Sequence, residues 1–484
     1  MQVKKLLPIT ASKSPSPAAA MIPIGVLILG LVAIVYYAGA GAIADYAPVI
    51  LLSVSALAFI ESLVCGTVSR RSLRVGFTRS ARQILPTVPM LICIAMISTA
   101  WMASGVVPTL VDYGLQALSP QFFLATTCAV AAVVSVVTGS SWTTIATIGI
   151  AFMGIGTTMG YSPGWIAGAV ISGAYFGDKV SPLSDTTVLA SSTCGVDIFT
   201  HIRYLMVTTV PAMIIALVTF VIVGCTYDLS DATYTGSIAS ALAAQYQLSP
   251  FTLLIPLSTI ILIALRVPSL PILFAAAVAG VIGIYVFQGH NAPDLLQVPA
   301  LLWHGNDVST GSDIVDSLVA TGGISGITSI ILLVLSAMVF GAVMMGTGLL
   351  ATLSAAITTR LRKRTSIVGT TLGSGVAMNI CSADQYLAII LTGNMYRHVY
   401  RRFRLENRLL SRTLEDSVSV TSVLVPWNSC GITQATVLSV PTFEYLPYCV
   451  FNYVTPVVSV IVAWSGYRIV DAVMPRKVAS APCC

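Results

Sequence analysis

The chain has 484 residues, of which 56% are hydrophobic and only 9% charged, and its mean hydropathy is +0.90; an ordinary soluble domain carries about 25% charged residues. That composition excludes a soluble enzyme and describes a polytopic membrane protein. The net charge of +6 does not signal nucleic acid, because the basic residues fall in short stretches between apolar spans, which is the positive-inside pattern.

Lys4, Lys5 and Lys13 precede a first apolar run that is long enough to span and reads as a retained helix rather than a signal peptide. Spans are predicted from about Met21 to Ala40 and from about Pro48 to Val68, the second carrying Glu61. The next loop holds Arg70, Arg71, Arg74, Arg79 and Arg82 without an acid, which places it in the cytoplasm. A third span, Leu85 to Val107, leads outward. Gln121 to Tyr161 stays apolar for roughly twice the length of one crossing and is interrupted at Thr138, Gly139, Ser140 and Ser141. Two crossings or a re-entrant hairpin both fit. Trp165 then runs into the Asp178 region, Ile202 to Cys225 crosses again, and Asp228 and Asp231 mark an external loop.

The second half follows the same plan. Spans at Phe251 to Leu265 and Leu270 to Phe287 flank Arg266, and an acidic external loop holds Asp294, Asp307, Asp313 and Asp316. A span from Ile327 to Leu350 ends at Arg360, Arg362, Lys363 and Arg364; a second basic cluster follows at Arg397, Arg401, Arg402, Arg404, Arg408 and Arg412. Both clusters belong inside, so Thr365 to Tyr396 must enter and leave on one side, as a re-entrant hairpin buried in protein or lining a wet cavity. Leu414 to Val440 and Cys449 to Trp464 finish the chain, leaving Arg468, Arg476 and Lys477 inside.

The expected fold is therefore an all-α polytopic membrane protein of two inverted-topology repeats, with broken helices and re-entrant hairpins, about ten transmembrane helices plus two hairpins. Its parts are a cytoplasmic tail 1–20, a first repeat 21–225, an external linker 226–249, a second repeat 250–467 and a cytoplasmic tail 468–484. The protein is expected to be multi-pass in the plasma (inner) membrane with both termini cytoplasmic.

The chemistry concentrates in Gly173 to Thr187, GAYFGDKVSPLSDTT. Asp178, Lys179 and Asp185 stand at membrane depth, where a charge costs roughly 2.5 kcal/mol or more unless paired or wet. Pro182 removes a backbone donor, so a helix must break there and free carbonyls. Ser181, Ser184, Thr186 and Thr187 add hydroxyls, and such oxygens are the hard ligands that Na⁺ prefers. Gly173, Ala174 and Gly177 let a neighbouring backbone come close. DKVSPLS (Asp178 to Ser184) is repeated as DSVSVTS (Asp416 to Ser422), 416 − 178 = 238 residues on, with Cys194–Gly195 echoed by Cys430–Gly431 and Pro211 by Pro456. The second copy has Val423 in place of Asp185 and brings Glu415, Asp416, Ser419, Thr421, Ser422 and Asn428 instead. Asp178 and Asp185 are thus the expected Na⁺ and proton carriers; Asp416, Ser419, Ser422 and Asn428, with Asn379, Ser382 and Asp384 of the hairpin, supply the facing wall.

These residues resemble the NhaC family of Na⁺/H⁺ antiporters. GAYFGDKVSPLSDTT, followed by Gly195, Asp197, His201 and TTVPA (Thr208 to Ala212), is similar to one signature of that family, and LEDSVSVTSVLVPWNSCG (Leu414 to Gly431) to its second block. The chain departs from the pattern at Val188, where many members carry Asn. The resemblance implies exchange of Na⁺ for H⁺, and in some members exchange of organic anions such as malate for lactate.

Plainer roles stand beside these. Asp178 followed by Lys179 also reads as an internal ion pair; Glu61 as a packing residue or a proton relay; His201 and Arg203 as interfacial anchors rather than pH sensors; Trp142, Trp165 and Trp427 as packing or interface belt. Cys65, Cys93, Cys128, Cys194, Cys225, Cys381, Cys430 and Cys449 lack metal-ligand spacing and behave as small hydrophobes, while Cys483 and Cys484 read as a reduced tail rather than a lipidation site. No P-loop pattern GxxxxGK[ST] and no HExxH occurs, so neither ATP-driven transport nor zinc proteolysis is indicated. No cofactor is expected. Na⁺ and H⁺ are the transported ions and the lipid bilayer the solvent; a small organic anion or amino acid, with Lys179 and helix N-termini as its holders, is the alternative cargo, and a homodimer the assembly considered.

Overall fold

The computed structural model describes residues 15–39, 42–85, 87–227, 242–265, 267–289, 292–306, 320–352 and 364–466. Among them there is no β-strand, and seven helices are long and apolar enough to cross a membrane, or eight if the bent pair Thr442–Tyr448 and Val450–Trp464 counts as one span. The termini, Asp228, Asp231, Arg266, Asp307, Asp313, Asp316, Arg360, Arg362, Lys363, Cys483 and Cys484 lie outside the described residues.

The first elements form an outer layer: α1 (Pro17–Ala38), α2 (Ile43–Val64), α3 (Arg70–Ile84), α4 (Thr87–Ala103) and α5 (Val106–Ala117). The arginine-rich stretch expected as a loop is helix α3. Its arginines repeat at helical spacing and leave Gly76, Ser80 and Ile84 as an inner face. Gly76 is required there: a Cβ would come within 2.6 Å of the Ala342 carbonyl on a later helix.

Two helical hairpins form the interior. The first joins α6 (Phe123–Thr138) to α7 (141–158, α-helical at Ser141–Thr144 and Ile150–Thr158 with a π turn Ile145–Gly149 between). Gly139 turns the chain at φ +66°, and Ser140 caps α7, its Oγ accepting from Thr143 N at 3.2 Å. The arms run antiparallel: Thr138 and Thr144 hydroxyls meet at 3.1 Å near the tip, and the Phe123 and Phe152 rings lie 6.2 Å apart near the base. Residues 121–161 thus form an antiparallel helix pair, whose first arm lies within Pro120–Thr138, one of the helices long and apolar enough to cross a membrane.

The broken helix follows as α8 (Pro163–Val180), a non-helical 181–184 containing Pro182, and α9 (Asp185–Cys194), which ends in left-handed Gly195. Next comes α10 (Ile198–Thr226), whose 29 residues extend about 44 Å, enough to cross the bilayer core. Then α11 (Leu254–Ala264), α12 (Ser269–Phe287), α13 (Val298–His304) and α14 (Thr328–Gly346) return to the outer layer, where α12 packs along α4 and α14 along α2 and α3. Trp101 Nε1 donates to the Ala276 carbonyl at 3.1 Å and fixes the first of these contacts.

The second hairpin pairs α15 (Arg364–Ser382) with α16 (Gln385–Arg402) through left-handed Ala383 and the cap Asp384. Its arms are joined by tyrosine rungs: Tyr396 OH meets Ser374 Oγ at 2.7 Å and the Thr370 carbonyl at 3.0 Å, and Tyr400 OH meets Thr371 Oγ1 at 3.3 Å. Both ends of this hairpin therefore lie at the same end of the helix pair. A second broken helix follows: α17 over 407–421, with a π turn Glu415–Ser419, then a 3-10 turn Ser422–Leu424, and after Pro426 α18 (Ser429–Leu438), capped by Asn428. The last element, α19 (Val450–Trp464), lies along α10.

The bases of the two hairpins sit at opposite ends of α10. Gln121 abuts Gly224, where any Cβ would strike its carbonyl, and Ser162 N donates to Tyr227 OH at 3.1 Å. At the other end, beside the start of α10, Asn407 Nδ2 donates to the Cys194 carbonyl at 2.9 Å. Cys194–Gly195 and Cys430–Gly431 are not equivalent positions, since the first pair closes α9 while the second opens α18.

Candidate functional site

Each hairpin tip rests in the break of the helix that follows it. Gly139 lies against Leu183, and Ser181 Oγ donates to the Val136 carbonyl at 2.8 Å. In the second half Ser429 N donates to the Ala383 carbonyl at 2.9 Å, Trp427 Nε1 to Ile380 at 2.8 Å and Asn428 Nδ2 to Asn379 at 3.2 Å. Small residues permit this: Gly173 and Gly177 leave no room for a Cβ against the Cys128 and Ala132 carbonyls of α6, and Gly375 faces Ser417 in the same manner.

A cavity of about 250 Å³ opens where the two tips approach each other. Asp178, from the end of α8, and Asp185, from the start of α9, both line it, together with Thr186. Gly139, Ser140 and Trp142 come from the first tip, Gln385 and Tyr386 from the second, and Thr87 and Met90 from α4. Among the described residues none that lines it is cationic. Asp178 is 9% exposed and accepts from Ser141 Oγ at 2.7 Å, with the Ser184 hydroxyl also close; Asp185 is exposed.

The other hydroxyls of the first copy build the break rather than face the cavity. Ser184 caps α9, accepting from Thr187 N at 3.4 Å, and Thr187 Oγ1 donates to the carbonyls of Asp178 and Lys179 at 3.3 and 3.2 Å. Two of the carbonyls that the break frees are thus taken up internally.

Lys179 does not pair with its neighbour Asp178. Its ammonium is bound to Asp416, which also accepts from Thr208 Oγ1 at 3.0 Å and lies 3.5 Å from Arg412 Nε. Arg412, expected in a basic cytoplasmic cluster, is fully buried here, with the Tyr204 ring 4.9 Å from its guanidinium carbon. His201, expected as an interfacial anchor, is buried too, its Nδ1 2.8 Å from Ser411 Oγ; Arg203 is exposed. Glu415 is fully buried near Lys179 and Ser419.

The remaining candidates hold the second tip in place. Asn379 Nδ2 donates to the Val418 carbonyl at 2.7 Å and to Thr421 Oγ1 at 3.0 Å; Ser382 Oγ donates to Met378 at 2.7 Å. Asp384 accepts from Leu387 N at 2.8 Å and from Ser429 Oγ at 3.4 Å and faces Arg79 of α3. Ser422 Oγ donates to Gln385 Oε1 at 3.1 Å, tying the second copy of the motif to the cavity rim. Glu61 on α2 lies away from the cavity. Gln385 and Tyr386 were not named from the sequence, Ser141 was read only as part of a break and Trp142 only as packing or interface belt; the turn at Gly139–Ser140 and the position of Asp384 before Gln385 are the signals that could have found them.

A second cavity, of about 290 Å³, lies further along α4 beside Ile94 and Ser98 and reaches Pro426 and Thr436. Among the described residues no charged side chain lines it.

The chain matches the model of the Na⁺/H⁺ antiporter family over residues 14–194 and again over 173–467. It is 36% identical over 414 residues to the Na⁺/H⁺ antiporter NhaC of Alkalihalophilus pseudofirmus, covering 84% of this chain and 89% of that protein. To the malate-2H⁺/Na⁺-lactate antiporter of Bacillus subtilis it is 34% identical, over 82% of this chain and 85% of the relative. To the arginine/ornithine antiporter ArcD of Halobacterium salinarum it is 32% identical, over 81% of each.

Proposed function

The chain belongs to the Na⁺/H⁺ antiporter family, and from that premise we propose that it is a secondary active antiporter exchanging Na⁺ for H⁺ through Asp178 and Asp185. The observation that carries this reading is that two carboxylates, from opposite sides of one helix break, open into a single cavity with no cation on its walls. Burial favours the protonated carboxyl and bound Na⁺ the ionised one. Proton and cation therefore compete for one group, which is the minimum that obligatory exchange requires. Ser141 and Ser184 orient Asp178, Thr186 stands beside Asp185, and Ser140, Gln385 and the hairpin tips supply the rest of the shell.

The two copies of hairpin, broken helix and long helix are read as inverted-topology repeats whose relative movement exposes the site to either side. The protein then resides in the plasma (inner) membrane with both termini cytoplasmic. Reconstituted in proteoliposomes, it should dissipate an imposed pH gradient on addition of Na⁺. No Na⁺-dependent proton flux would sink this reading.

A second reading is a Na⁺/H⁺-coupled exchanger of small organic anions or amino acids. It is favoured by relatives named for malate, lactate, arginine and ornithine, and by a cavity of about 250 Å³, which is roomy for a bare ion. Lys179, the expected holder of a substrate carboxylate, is committed to Asp416, so an anion would need a counter-ion carried with it. Counterflow of labelled malate, lactate or arginine in proteoliposomes, driven by an imposed Na⁺ or H⁺ gradient, would select this reading.

A further inference from the structure

Asp416 is the meeting point of three elements. Lys179 reaches it from α8, Thr208 from α10 and Arg412 from one turn earlier in α17. Exposure is 1% for Lys179 and 0% for Asp416, Arg412 and Thr208. Both cations are therefore out of water, and a buried ion costs several kcal/mol unless paired. Asp416 is the carboxylate that both cations reach, and the fully buried Glu415 lies near Lys179. Lys179 is also the residue after Asp178, and it ends in a compact ammonium on a flexible four-carbon stem. One ammonium thus stands one residue from the ion cavity and is drawn away from it.

Building on the assignment of Asp178 to the ion site, we propose that Asp416 is a positioning residue rather than an ion ligand: it holds the Lys179 ammonium off Asp178, and Arg412 and Thr208 hold Asp416. Lys179 and Thr208 share one of its oxygens, Arg412 faces the other, and Asp416 does not line the ion cavity. Without the Asp416 charge the carboxylates left beside Lys179 are Glu415 and its own neighbour Asp178. Lys179 would turn to Asp178 and act there as a tethered competitor of Na⁺. His201, 2.8 Å from Ser411, faces this cluster and stays bound to Ser411 in either arrangement.

The test compares D416N, K179M and the double variant in proteoliposomes, reading KM for Na⁺ and maximal rate separately, with insertion checked by detergent-extracted monodisperse yield. An opposing charge at contact range shifts the occupancy of a carboxylate roughly ten- to a thousandfold. D416N should therefore raise KM for Na⁺ by at least about tenfold, K179M should leave KM near the parent value, and K179M/D416N should return to the K179M value. Should D416N fail to insert, K179M against K179M/D416N decides the matter: equal KM supports the proposal, and a tenfold rise in the double variant overturns it by making Asp416 a ligand. An unchanged KM in D416N, or a K179M variant as impaired as D416N, also overturns it. A parent protein without Na⁺/H⁺ exchange removes the ion-site assignment itself; normal parent exchange with an unrescued double variant removes this proposal alone.

Discussion

Ser140 and Asp384 hold the same place in the two hairpins, 384 − 140 = 244 residues apart. Each follows a residue in the left-handed region, Gly139 at φ +66° and Ala383 at φ +56°, and each caps the second arm, accepting from Thr143 N at 3.2 Å and from Leu387 N at 2.8 Å. The same interval separates Ser184 from Asn428, which cap α9 and α18, and Gly195 from Ser439, which end them. Three pairs of helix boundaries keep one register. The tips are thus built alike, though one is neutral and the other carries a carboxylate.

The site carboxylates give the first prediction. Asp185→Asn keeps size and hydrogen bonding but cannot ionise, and it should abolish Na⁺-driven proton flux while leaving membrane insertion intact. Asp178→Asn should do the same, because the partner of Lys179 is Asp416 and the Asp178 carboxylate is free for the cavity. If Asp185→Asn retained full, normally pH-dependent exchange in proteoliposomes, the coupling role would pass to Asp384 or Glu415.

Topology can be checked by labelling. In a background without the exposed Cys65 and Cys225 and without Cys483 and Cys484, single cysteines at Ser366 and Arg402, the two ends of the second hairpin, should react with an impermeant maleimide from one side. A cysteine at Gln121, the base of the first hairpin, should react from the other. Labelling of Ser366 and Arg402 from opposite sides would refute the hairpin.

Backbone contact between α6 and α8 leads to a contrast between glycines. Gly177→Ala drives a Cβ against the Ala132 carbonyl and Ser135 and should destabilise the protein by about 1–3 kcal/mol, seen as a lower melting temperature in detergent. Gly373→Ala meets nothing within 4 Å and should be neutral or stabilising by up to about 1 kcal/mol, since alanine is the better helix former. Equal melting temperatures for the two variants would contradict the close approach.

The tyrosine rungs of the second hairpin are separable from the chemistry. Tyr396→Phe removes the contacts to Ser374 and Thr370 and should cost about 1 kcal/mol in thermal stability. KM for Na⁺ should stay within about twofold, a change well below the tenfold that 1.4 kcal/mol represents. A large KM shift would place this hairpin arm in the ion path.

Sequence alone located the break at Pro182, the small residues that line α8, the turn at Gly139–Ser140 and the same-side ends of the second hairpin. Each is a local rule: a missing N–H, a missing Cβ, a run of charge. The motif match at an interval of 238 found the second broken helix, but the caps keep an interval of 244. Since the caps on both sides of the motif keep 244, the motif match is six residues out of structural register: Ser422, in the 3-10 turn, and not Asp416 stands 244 residues from Asp178, and no local pattern announces the slip. Partner choice was likewise hidden. Arg412 counts as one more positive charge in a basic stretch whether it faces water or Asp416, and Lys179 pairs with a residue 237 positions away that only the tertiary fold brings beside it.

The seating of each tip in a break bears on mechanics. A polypeptide that has lost one turn of helix ordinarily tends to wind it back, but here Leu183 is wedged by Gly139, and the Ala383 carbonyl is spoken for by Ser429 N. Each hairpin works as a splint, holding two half-helices apart at a set spacing so that the oxygen-lined gap keeps its dimensions through thermal motion. Loosening a splint, for instance by a bulky residue at Gly139, would let the gap collapse without touching a single charged group.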